Sequence, residues 1–136
     1  MVVGLERLTP AGLSKPAAYT QVVVARGRRM IFVAGQVSID AAGKLVAPGD
    51  FAGQVKQVFA NLRTALEGAG ATPSDVTKIT IYIVGYKPEL RPLLGEARSA
   101  VFGPATLPAS TLVGVQALAE PGFLIEVEAI AVVDEA

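Results

Sequence analysis

An α+β domain is predicted by three features of the chain. Short runs of β-branched and alternating residues recur, two longer segments repeat apolar residues at helical spacing, and their order is strands, helix, strand, helix, two strands. Helices segregated in this way imply a largely antiparallel or mixed sheet with both helices on one face. With 136 residues, the segment 1–136 forms one domain, large enough to bury a core without disulfides or metal.

The first β region runs from Gln21 to Asp40. Gln21–Ala25 is short and β-branched, Arg26-Gly27-Arg28-Arg29 reads as a turn, and Met30–Ala34 resumes the strand, so a hairpin is expected with its three arginines as a solvated tip. Gly35 interrupts the strand pattern before Gln36–Asp40, marking a bulge or a close approach of backbone or ligand.

Asp50 is a good N-cap for a helix in which Phe51, Val55, Val58, Phe59, Leu62, Leu66 and Ala69 recur on one side. Lys56, Arg63 and Glu67 fall on the other side, and Gly70 supplies the stop. After a loop at 71–75, Val76–Val84 is a strand with Ile79, Ile81 and Ile83 facing the helices and Lys78, Thr80 and Tyr82 facing away. A second helix spans about Pro88–Phe102, with prolines confined to its start. Leu90, Leu94, Ala97 and Val101 form its apolar stripe, and Glu96, Arg98 and Ser99 its wet face. Ala119–Gly122 then joins two final strands, read as a second hairpin, the last being Phe123–Val133.

That last strand carries Glu126 and Glu128 within an apolar run. Residues i and i+2 share a strand face, roughly 6–7 Å apart by the strand rise. Ionised carboxylates are costly to bury unpaired, so this face must meet water, a ligand or another chain.

Composition excludes several chemistries. Cysteine and histidine are both absent, which removes Cys/His zinc sites, thiol nucleophiles and histidine bases. Twelve basic residues balance twelve acidic ones, so the basic field that nucleic-acid binding needs is missing. The chain is 51% hydrophobic and 18% charged with mean hydropathy +0.49, yet no apolar run approaches the ~20 residues of a membrane span. No secretory signal is read at the N-terminus, since Glu6 and Arg7 precede Pro10 without an apolar stretch, so a cytoplasmic protein is expected. A surplus of apolar residues without a membrane to hide them points to oligomerisation.

Read end to end, the chain resembles the Rid/YjgF family. The resemblance rests on Ala18-Tyr19-Thr20-Gln21, Phe32-Val33-Ala34-Gly35-Gln36-Val37, the helix through Asn61-Leu62 to Ala69-Gly70, Pro108-Ala109, and Ile125-Glu126-Val127-Glu128-Ala129-Ile130-Ala131. It implies a chorismate-mutase-like fold, a homotrimer with ligand clefts between subunits, and water addition to a 2-imino or 2-enamino acid; no cofactor or metal is expected. It assigns to Glu126 the positioning of the attacking water, and to Tyr19 and the 34–36 segment the lining of the pocket.

Two positions depart from the family pattern: a serine is replaced by Ala34, and the arginine that clamps the substrate carboxylate by Ser110. Arg91 and Arg98 on the second helix are candidates to replace that cation in space, although sequence alone does not place them. With Ser110 and Thr111 where a guanidinium is expected, imino-acid hydrolysis should be weak or altered and the ligand neutral or weakly polar. Two readings stay open: a Rid-type deaminase with Glu126 as base, and a non-catalytic small-molecule-binding or interaction trimer that keeps its clefts. The structural alternative for Glu126 is pairing with a lysine or backbone amides across the trimer, and for Glu128 an exposed or subunit-pairing role. Neither reading has a nucleic-acid or membrane partner.

Overall fold

The computed structural model describes residues 4–134. Its strands are β1 (Gly4–Leu8), β2 (Val22–Arg26), β3 (Arg29–Gln36), β4 (Val76–Val84), β5 (Ala109–Val115) and β6 (Ile125–Val133). The helices are α1 (Phe51–Gly68) and α2 (Arg91–Phe102), and among the described residues neither is long and apolar enough to cross a membrane.

A mixed four-stranded sheet in the order β3-β6-β4-β5 carries both helices on one face. Ile79, Ile81 and Ile83 of β4, fully buried as expected, meet Val55, Val58, Leu62 and Leu66 of α1 and Leu94 and Phe102 of α2 in one core. Phe59 and Phe102 join the helices edge to face, with centroids 6.4 Å apart. α1 begins at the expected cap, the Asp50 carboxylate accepting from Gly53 N at 3.1 Å. It ends in a Schellman turn at Gly70, whose φ of +80° suits glycine: Ala71 N donates to Leu66 O and Gly70 N to Glu67 O.

Neither expected hairpin forms. β2 pairs with β1, a strand not anticipated, in a separate two-stranded sheet, while β3 pairs with β6. Gly27 is a crossing point rather than a turn: a Cβ there would lie 2.7 Å from Val133 O, and Arg28 N donates to the same carbonyl. Arg26 and Arg28 are exposed, but Arg29 reaches the C-terminus of α1, donating to Ala69 O at 3.3 Å.

β5 and β6 likewise do not pair, because β4 lies between them. The β4–α2–β5 unit is a crossover that sets β5 parallel to β4, and residues 116–124 are long enough to return the chain to the far side of β4. That return is anchored by Gln54, fully buried on α1. Its Nε2 donates to Gly122 O at 2.9 Å and its Oε1 accepts from Leu124 N at 3.0 Å.

Candidate functional site

The pleat divides the residues singled out by sequence between two places. Glu126 lies opposite Tyr82 and Glu128 opposite Thr80, on the sheet face away from the helices. Thr111, opposite Thr80, and the exposed Ala34 belong to the same open face. Ser110 lies opposite the buried Ile79 and therefore on the helix side. A single cleft holding Tyr19, Gln36, Ser110, Thr111 and Glu126 does not form within one chain.

On the open face, the β3–β6 register slips between Val33 and Gln36, where Ala34 and Gly35 form the irregularity expected from the glycine. The Glu126 side chain occupies the space this creates. A Cβ on Gly35 would lie 1.8 Å from Glu126 Oε2 and 2.8 Å from its Cγ, so only glycine leaves room for the carboxylate. Gln36 folds back, its Nε2 donating to Ala34 O at 3.0 Å.

The two glutamates have different surroundings. Glu128 accepts from the Tyr82 hydroxyl at 2.8 Å, a bond that, with burial and both carboxylates nearby, raises the phenol's pKa. Among the described residues no hydrogen bond or ion pair holds the Glu126 carboxylate. Partial burial, and after it the charge of Glu128, raises its pKa above the ordinary carboxylate value. Lys78 does not reach either glutamate. Its Nζ donates to Thr111 Oγ1 at 3.1 Å and Thr80 Oγ1 at 3.4 Å.

The second place is a cavity of about 530 Å³ at the outer edge of the sheet, between α2, β5 and residues 16–19. Thr20 carries the 16–19 segment there by bridging in parallel to Ala109, with Thr20 N donating to Pro108 O at 3.0 Å. Tyr19, Tyr86, Ser110, Arg91 and Arg98 line the cavity with Leu94 and Leu112.

Arg98 was expected on the wet face of its helix; it is instead 5% exposed. It follows Leu94 and precedes Phe102 at four-residue spacing, so it shares their inward face. Its Nη1 donates to Ala18 O at 2.7 Å. Arg91 donates from Nε to the Tyr86 hydroxyl at 2.8 Å. Two guanidiniums therefore share the cavity with Ser110, and the expectation of a neutral ligand, drawn from Ser110 and Thr111 alone, is revised for this cavity.

Fold and geometry together define a small α+β protein with a partly buried carboxylate on its open sheet face and a cation-lined cavity at the sheet edge. Comparison with known proteins gives that class a family. Residues 11–133 match the family described as Endoribonuclease L-PSP. A RutC family protein of Pyrococcus abyssi is 40% identical over 101 residues, 74% of this chain and 76% of its own. A 2-iminobutanoate/2-iminopropanoate deaminase of Rattus norvegicus is 34% identical over 115 residues, 85% of this chain and 80% of its own. The solved structure of YyfB, a conserved Rid family protein of Yersinia pestis, superposes with a TM-score of 0.91 at 35% identity, covering 96% of this chain and 99% of that one. The chain belongs to the Rid/YjgF/L-PSP family.

Proposed function

We propose that the protein hydrolyses a small 2-imino or 2-enamino acid in a cleft completed by a second copy of the chain, within a homotrimer. The observation that carries this reading is the Glu126 carboxylate: half-buried, unpaired, raised in pKa and seated against Gly35. Such a carboxylate suits a general base better than a structural ion-pair partner. Glu126 orients a water and accepts its proton as the oxygen attacks C2 of the C=N bond. Glu126 passes that proton to the nitrogen, giving the carbinolamine. It then takes the carbinol proton as the C=O bond forms and the C–N bond breaks, and the amine leaves with it as ammonia, freeing the 2-oxo acid. The deaminases among the relatives support the same reaction class.

The divided site supports a role for a second copy. Met30 and Phe32, 62% and 70% exposed, lie on the open face beside the glutamate strand and suit an interface between copies. Docking that face against the cavity edge of a neighbour would bring Glu126 to Tyr19 and Ser110. The nuclease named in the family description has no support in a chain with zero formal charge and no histidine.

The reading is tested by generating 2-iminobutanoate in situ with an amino-acid oxidase and following ammonia and 2-oxobutanoate. The protein should speed their release above the spontaneous rate. A rate equal to the blank would remove the enzyme reading and leave the binding trimer, which Ala34 and Ser110 favour.

Two further outcomes are expected. Gly35→Ala should lower turnover about 100-fold, because a new methyl evicts the carboxylate and ångström-scale misplacement has that effect. The thermal midpoint should move little, since the displaced atoms end a flexible side chain. A turnover within threefold of wild type would contradict the role given to this contact.

The pH profile should show its acid limb above the ordinary carboxylate pKa of 4.5, because a base must be ionised and Glu126 holds its proton to higher pH. Glu128→Gln should move the limb downward, though only in part, since burial is the larger cause. A limb unmoved by Glu128→Gln would show that the two carboxylates do not interact.

A further inference from the structure

We propose that the cavity between α2, β5 and residues 16–19 is a carboxylate site whose cation is Arg98, a helix-borne guanidinium serving where the strand residue is Ser110. The inference deepens the imino-acid reading and rests on it for the identity of the acid, while the anion site itself stands on the cavity.

Arg98 is the first argument. An arginine that is 5% exposed would ordinarily be matched by a carboxylate, because a buried charge without one is unfavourable. None of the side chains lining this cavity is acidic. Of its donors, Nη1 is committed to Ala18 O, whereas Nε is buried and has no partner among the described residues. Five N–H groups in a planar fork suit bidentate binding of a carboxylate. Burial also lowers the pKa of Arg98, as expected of a cation lacking a countercharge.

Arg91 lies seven residues earlier, two turns along the same helix face, and lines the same cavity. Its Nε is held by Tyr86, so a second cation is oriented there. The hydroxyls of Tyr19 and Ser110 can accept or donate to a polar headgroup, and Leu94 and Leu112 offer an apolar wall for a short side chain. The ligand that fits is a small monocarboxylic acid with a short apolar tail.

Gly95 is the second, independent argument. It sits inside α2, where glycine is unfavourable, and it lines the cavity. A Cβ built there meets nothing within 4 Å, so its absence is not required by packing. The glycine keeps the cavity open.

The test uses 2-oxobutanoate, the product acid, and its primary amide as probes in calorimetric titration. Wild-type protein should bind the acid about 10- to 100-fold more tightly than the amide, the range expected for a charge-assisted hydrogen bond. Arg98→Met should abolish that preference, and Arg98→Lys should restore part of it. Gly95→Leu should weaken both probes at least tenfold while the thermal midpoint is kept. It keeps both arginines in the chain and so remains informative if Arg98→Met does not fold. Equal affinity for acid and amide in the wild type would overturn the proposal, as would a preference that survives Arg98→Met or binding unaffected by Gly95→Leu. Tight, Arg98-dependent binding without imine turnover would sink the catalytic reading alone. Turnover whose KM is unmoved by these variants would sink the carboxylate site alone.

Discussion

Glu126→Gln is expected to lower kcat/KM for imine hydrolysis by about 10²–10⁴-fold, the usual contribution of a positioned general base. The amide fills the same space above Gly35 but cannot accept a proton. Because among the described residues no cation or hydrogen bond holds the native carboxylate, its removal leaves none of them unsatisfied. The change also relieves the repulsion from Glu128 and the burial of a charge, so the thermal midpoint should hold or rise slightly. Binding of 2-oxobutanoate should stay within a few-fold of wild type, because its proposed anchor is Arg98 in the edge cavity rather than Glu126. Glu128→Gln is the matched control: the new amide oxygen can still accept from Tyr82, and turnover should fall by less than tenfold. Equal rates for Glu126→Gln and wild type would remove Glu126 from the chemistry, whatever the fold.

What could be read from the chain, and what could not, divides along a physical line. Periodicity exposed α1, the inward isoleucines of β4 and the paired glutamates of β6, because each depends only on residues a few positions apart. Gly35 likewise announced a close approach, although its partner, Glu126, lies 91 residues away in the chain and could not be named. Pairing partners failed for the same reason. Gly27 and the Pro121-Gly122 turn are adequate hairpin signals locally, and only the crossover through α2 and the insertion of β4 decide against them.

Two polar residues were misplaced or overlooked despite a usable signal. Gln54 falls at three- and four-residue spacing between Phe51 and Val58, within the buried stripe of α1. Arg98 falls in the same way between Leu94 and Phe102. A polar residue in register with an apolar stripe has to find a buried partner. Gln54 finds three backbone groups, whereas Arg98 finds Ala18 O and a cavity.

The same division of the site predicts a dependence on assembly. Phe32→Asp should convert an assembled protein into 14.0 kDa monomers at micromolar concentration and take turnover with it, although residue 32 touches no reacting atom. An uncompensated carboxylate buried in an interface weakens association by at least about two orders of magnitude. Sedimentation equilibrium reads the first effect and the imine assay the second. A stronger test uses two impaired variants. If Glu126 comes from one copy and Arg98 from its neighbour, unfolding and refolding an equal mixture of Glu126→Gln and Arg98→Met should regenerate intact sites. Random closed rings would contain about a quarter of the wild-type number, each completed by residues from two different chains. If both groups served a site within one chain, every site in the mixture would carry a lesion and activity would stay at the level of the separate variants. Recovery toward one quarter would show that the open face of one copy and the helix-edge cavity of another act as one site, the arrangement we propose from the opposite facing of Glu126 and Ser110 on the pleat.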